Sequence, residues 1–258
     1  MSSGLRLAIM SDLHLEFAPY EPDLAGIDLV LLAGDIHCPG TLAVDWARRL
    51  GVPSILVMGN HEGYGQDLMN QRSLMADAAE NSACTFLDDD VHIINKGKRK
   101  LRILGSTLWT DFKLLGEAPA QVRDAIDAGR AQLNDFRLIR NGPGRRLTPQ
   151  DTIEMHELSI EFLAWQLADP FDGDTIVMTH HAPTPFSSAQ QHIGSALSPC
   201  FASNLDDFVA SSGARLWVHG HTHSNADMTL GRTRLVARQR GYPGEPTFAS
   251  FEPLVIEI

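Results

Sequence analysis

Leu5-Arg6-Leu7-Ala8-Ile9-Met10-Ser11-Asp12-Leu13-His14 is the stretch whose reading settles the kind of fold this chain adopts. A short apolar run bounded by turn residues is the pattern of a strand covered on both faces. This one ends on a carboxylate and an imidazole two residues apart, and residues i and i+2 of an extended segment share a face. Asp12 and His14 can therefore address one metal ion together. The same arrangement recurs downstream. Leu29 to Ala33 runs into Gly34-Asp35-Ile36-His37, and Ser54 to Met58 into Gly59-Asn60-His61-Glu62. Thr175 to Met178 leads to Thr179-His180-His181-Ala182-Pro183, and Arg215 to Val218 to Gly220-His221-Thr222-His223, which repeats the i, i+2 spacing. Asp35 and Asn60 each follow a glycine where the backbone must turn sharply. Carboxylate, imidazole and amide groups converging from separate strands are costly to bury unless a cation compensates them. Ligands at the carboxyl ends of strands match the usual location of sites in α/β sheets.

Around these strands the periodicity switches between strand and helix. Helical spacing is expected over Thr41 to Leu50, Asp67 to Glu80, Ala120 to Phe136 and Thr148 to Leu167, the last opened by Thr148, Pro149 and Asp151. Val91 to Asn95 and Leu101 to Gly105 read as a hairpin closed by the basic turn Lys96 to Lys100, and further strands are expected at Asp227 to Leu230, Thr233 to Ala237 and Leu254 to Ile258. The more polar stretch 107–149 reads as a helical, lid-like insertion within a single domain spanning 1–258. The expected fold is α/β, with two mixed β-sheets packed face to face and flanked by helices.

With 258 residues and ordinary apolar content, a large core needs no covalent staples. The cysteines Cys38, Cys84 and Cys200 are odd in number and far apart, which argues against a disulfide framework and for a reducing, cytoplasmic setting. No signal-peptide pattern precedes the first strand and no run of about 18 apolar residues occurs. A formal net charge of −11 disfavours extended nucleic acid, whose partners usually carry a basic face. Bound divalent metals reverse the local sign, so a small anionic substrate stays compatible.

Taken in order, the clusters D-x-H, G-D, G-N-H-E, H and G-H-x-H resemble the pattern of the calcineurin-like metallophosphoesterase superfamily, from Asp12 to His223. Ser11-Asp12-Leu13-His14-Leu15-Glu16-Phe17 and Arg240-Gly241-Tyr242 look like a bacterial subgroup of that superfamily. The resemblance implies a four-layer αββα sandwich with two divalent or trivalent metal ions, Mn, Fe or Zn. Asp12, His14 and His223 would hold one, Asn60, His180 and His221 the other, with Asp35 bridging. It implies hydrolysis of a small phosphomono- or phosphodiester by a hydroxide shared between the ions, with His61 as acid or phosphoryl stabiliser.

Residues next to these motifs carry lesser expectations. His181 and His219 are expected to support the metal ligands, His37 to contact substrate at the rim, and Arg240 and Tyr242 to line the entrance, with His192 a further candidate. Ala237-Arg238-Gln239 departs from the Asn-Pro-Arg-like residues common in such proteins. Glu62 is expected either to orient a neighbouring imidazole or to lie in solvent. Two rival functions are a non-catalytic interaction module on the same fold and a single-strand nuclease. A metallo-β-lactamase-like site is excluded, because Asn225 and Ala226 stand where Asp-His is required.

Overall fold

The computed structural model describes residues 4–97, 99–188 and 194–258. Strands β1 (Arg6–Met10), β2 (Leu29–Leu32), β3 (Ser54–Val57) and β4 (Cys84–Leu87) lie parallel, with β11 (Leu254–Glu257) antiparallel beside β1. The second sheet runs β5 (Asp90–Lys96), β6 (Arg99–Ser106), β7 (Asp174–Thr179), β8 (Leu216–His219), β10 (Thr233–Ala237) and β9 (Ala226–Leu230). Its four central strands are parallel, and an antiparallel partner closes each edge.

Strand period decides what each layer buries. Leu7 and Ile9 of β1, with Leu31 of β2, face Ile103, Ile176, Met178 and Val218 of the opposite sheet in a dry inter-sheet core. Their alternates Ala8, Met10, Val30 and Leu32 turn outward onto helices α1 (Gly40–Ala47) and α2 (Leu68–Ala79), through Val44, Leu68 and Met75. On the far side Leu104, Val177, Trp217 and Leu235 meet α5 (Pro149–Ala168) and α6 (Asp206–Ser211) through Leu163 and Val209. Both sheets are therefore apolar on both faces, and a four-layer αββα sandwich is the arrangement that buries all four.

Two elements were not legible in the sequence. β4 and α6 have four and six residues, too short to show a period. The helix expected over Ala120 to Phe136 is broken into α3 (Pro119–Gln132) and α4 (Asp135–Leu138), because Leu133 leaves helical geometry at ψ 141°. That break turns Asn134 and Asp135 toward the carboxyl ends of the strands.

The start of α5 is a full capping box: the Asp151 amide donates to Thr148 Oγ1 and the Thr148 amide to Asp151 Oδ2. Burial opposes ionisation of Asp151, but Arg145 and Thr148 outweigh it and hold the carboxyl below its usual value. Its contribution is complete above the ordinary aspartate range and is lost as acidification protonates it. Asp151→Ala is expected to cost about 1 kcal/mol, read as a lower urea midpoint at neutral pH, with the difference from the parent shrinking in acid.

Candidate metal centre

The clusters meet at one rim, where the parallel strands of both sheets end. The turns that bring them there are tight enough to force left-handed backbone on side-chain-bearing residues: φ is 51° at Asp12, 45° at His14, 54° at Asp35, 72° at His221 and 48° at His223. Such conformations cost of order 1–3 kcal/mol each and persist only where the surroundings over-determine them. Glycines permit the close approach. A Cβ on Gly59 would run into Asp35 Oδ1, and one on Gly220 would stand 2.6 Å from Asp12 Oδ2.

Two adjoining nests of donor atoms result. In the first, His14 Nε2 lies 3.0 Å from His223 Nε2, and His223 Nε2 is 3.5 Å from Asp12 Oδ1. In the second, His180 Nε2 lies 3.0 Å from Asn60 Oδ1 and 3.1 Å from His221 Nδ1. Asp35 stands between them, with Oδ2 3.9 Å from His14 Nε2 and Oδ1 3.5 Å from His180 Nε2. Asp12, His14 and His223 are close enough together to hold one ion, as are Asp35, His180 and His221.

The donor chemistry fits cations. His14 Nδ1 donates to Glu16, His223 Nδ1 to Glu245 at 2.7 Å, and His180 Nδ1 to the Ala33 carbonyl at 2.9 Å. Since each acceptor is a carboxylate or carbonyl, the proton is on Nδ1 and the Nε2 lone pair faces inward, the usual role of outer partners of a metal-binding imidazole. Burial lowers the pKa of His14, brings that of His180 down to about 4, and puts His221 well below the ordinary range. Burial also lowers His223, but its bond to Glu245 prevails and raises it. Burial, with Glu62 and Asp12 nearby, pushes Asp35 well up, so its charged form needs a compensating cation.

Among the described residues Glu62 hydrogen-bonds to no imidazole, and it does not lie in solvent. Its carboxylate is wholly buried and accepts the amides of Asp35 (3.0 Å), Ile36 (2.7 Å), His37 (3.3 Å) and Gly59 (2.7 Å). One side chain thus ties the Asp35 turn to the Asn60 turn. The His61 amide completes the tie by donating to Asp35 Oδ1 at 2.9 Å. The Asn60 amide is aimed by Asp135, which accepts from Asn60 Nδ2 at 2.8 Å and from the Tyr64 hydroxyl at 2.8 Å. The His61 side chain spans from Glu16, which accepts from Nδ1 at 2.9 Å, to the Tyr242 hydroxyl, 2.9 Å from Nε2.

His181 is buried between Trp109 and His221, with Nδ1 on the Thr107 carbonyl. His219 is buried with Nδ1 on the Gly220 carbonyl. The His37 ring turns onto the Cys38 carbonyl, away from the cavity. Arg240 also leaves the entrance: its guanidinium binds the carbonyls of Leu13, Ala18 and Pro19 and lies over Phe248, clamping the loop after Asp12. Tyr242 does line the cavity. His192 lies outside the described residues. Segment 107–149 contributes Asn134 and Asp135 to the cavity wall.

Glu16, Tyr64, Asp135 and Glu245 were not singled out from sequence. Glu16 had a usable signal, being two residues beyond His14 in the pattern that pairs Asp12 with His14. Asp135, 75 residues from Asn60, had none.

A family model described as calcineurin-like phosphoesterase matches residues 5–225. No curated protein sequence matches significantly. Among solved structures, a phosphopantetheinyl hydrolase from Mycobacterium tuberculosis superposes with a TM-score of 0.74 at 16% identity, over 98% of this chain and 97% of that one. A dimetal phosphatase from Danio rerio gives 0.51 at 14% identity, over 98% and 91%. The protein GAP50, described as the anchor in the inner membrane complex of Plasmodium, gives 0.52 at 9% identity, over 99% and 78%. These structural likenesses show a shared fold.

Proposed function

The chain belongs to the calcineurin-like phosphoesterase family, and from that premise we propose that it is a metal-dependent phosphoric ester hydrolase with two cation sites sharing Asp35. The observation that carries this reading is the placement of the two Asp35 oxygens, each turned to a different imidazole. Asp12, His14 and His223 complete the first site; Asn60, His180 and His221 complete the second. A nitrogen and oxygen shell without thiolate suits Mn, Fe or Zn. Held there, such a pair of cations supplies Lewis acidity toward a phosphoryl group and a water of lowered pKa.

The chain's own residues do the rest. Glu16 fixes the His61 ring so that Nε2 faces the cavity. In this reading His61, carrying a second proton on Nε2, passes it to the departing alkoxide oxygen, and Tyr242 offers its hydroxyl beside it. Asp135 and Tyr64 keep the Asn60 oxygen, rather than its NH₂, turned to His180. Three cysteines without disulfide partners fit a reducing, cytoplasmic setting. Among the described residues no helix is long and apolar enough to cross a membrane. Nor does any lysine or arginine line the cavity, as a strand-binding nuclease groove would require.

The test pairs elemental analysis with a phosphoester panel run in Mn²⁺, Fe²⁺ and Zn²⁺. Asp35→Asn keeps the volume and removes the shared charge. It is expected to lose most bound metal and more than about 100-fold in turnover, the upper end for changes one shell further out. Wild-type metal content and rate in that variant would overturn the shared site.

A further inference from the structure

Two cavities, not one, open on the rim, and His61 belongs to both. The first, of about 400 Å³, is walled on one side by the donor nests. The second, of about 490 Å³, lies across a partition formed by His61, Tyr64, Asn134 and Tyr242. Its outer wall is more apolar, with Phe17, Leu138 and Pro243. Phe17 and Leu138 keep 58% and 40% of their surface exposed, large apolar groups left open beside a polar centre. The bar between the cavities includes the single contact from Tyr242 Oη to His61 Nε2, which a phosphoryl oxygen can replace.

Charge gives a second, independent indication. Neither cavity has a lysine or arginine on its described walls. A phosphomonoester carries about −1.5 to −2 charges at neutral pH, whereas a phosphodiester has one ionisable oxygen. Beyond any bound cations and Asp35, the walls offer Asp135 and Glu245 in the first cavity and Glu16 in the second, so they favour the substrate with less negative charge.

We propose that the site takes a phosphodiester monoanion, one uncharged polar arm lying in the first cavity and an apolar or aromatic arm against Phe17 and Leu138 in the second. This rests on the hydrolase reading above. Water adds its oxygen to phosphorus, the P–O bond to one arm breaks, and a proton leaves with that arm as an alcohol. The other arm departs as a phosphomonoester.

Binding is measured first, without turnover, by calorimetry of the metal-loaded protein with diphenylphosphinate, a two-armed monoanion, and phenylphosphonate, its one-armed counterpart. Diphenylphosphinate is expected to bind at least about tenfold more tightly, which is about 1.4 kcal/mol. Leu138→Trp, which fills the second cavity from a half-open position on α4, is expected to abolish the difference. The ratio of kcat/KM for bis-p-nitrophenyl over mono-p-nitrophenyl phosphate should exceed one and fall about tenfold in the same variant. Preference for the one-armed probes, or a ratio untouched by Leu138→Trp and Phe17→Ala, overturns the proposal. If protein shown to hold metal turns over neither ester, the hydrolase reading itself fails.

Discussion

Glu62→Ala is expected to lose metal binding and much of the fold's stability together. The substitution removes the acceptor of four amides, those of Asp35, Ile36 and Gly59, which are buried, and that of His37, which is half-buried, and leaves no polar atom in its place. An orphaned buried donor costs about 1–3 kcal/mol. Even at the low end the three buried ones sum to about 3 kcal/mol, a large part of the roughly 5–15 kcal/mol that holds a domain together. At about 2–4 °C per kcal/mol for a domain of this size, the melting midpoint should fall by more than about 6 °C. Released from Glu62, the Asp35 turn also loses the hold on its left-handed backbone, and the Asn60 turn loses its tie to it. Glu62→Gln should fall between parent and alanine variant, since its oxygen can keep some amides while its NH₂ opposes the others. Circular dichroism melts with elemental analysis check this. A Glu62→Ala protein melting with the parent and holding as much metal would mean that the carboxylate is dispensable.

His61→Ala is expected to do the reverse: keep the metal and lose the reaction. His61 supports Asp35 through its backbone amide, on Oδ1, and alanine retains that bond. What disappears is the ring held between Glu16 and Tyr242. Positioned acid–base groups are typically worth about 10²–10⁴-fold, so turnover should fall by that order. The fall should be steepest for alkyl esters, whose leaving oxygen needs the proton, and shallow for p-nitrophenyl esters, whose leaving group departs without one. Glu16→Gln should give a milder loss with the same leaving-group trend, because it loosens the ring without removing it. Steady-state kinetics over esters of graded leaving-group acidity read this directly. An alkyl ester hydrolysed at the parental kcat by His61→Ala would remove the residue from the chemistry.

The two cases show where local reading stops. His61 and Glu62 are neighbours in one motif, yet one faces the cavity and the other is fully buried behind it. Nothing in the spacing separates them. The 3-10 turn His61–Gly63 does, pointing successive side chains in different directions. Arg240 is a similar case. A cation in a motif near the site suggested a substrate contact, but its Nη1 and Nη2 atoms bind the Leu13, Ala18 and Pro19 carbonyls and shape the loop after β1.

The sequence by itself determined most of the strands and helices and the chemistry of the rim. Strand and helix periods are local, and the run of D-x-H, G-D, G-N-H-E, H and G-H-x-H names its residue types wherever they end up. Only the tertiary structure decided which donors share a nest, because those pairs span long separations: His14 meets His223 209 residues away, and His180 meets Asn60 120 residues away. It also decided that Glu62 ties two turns, that Asp135 aims Asn60, and that His61 parts two cavities. Sheet packing sets such contacts, and a pattern repeating every two or four residues holds no record of what the opposite sheet brings to the same rim.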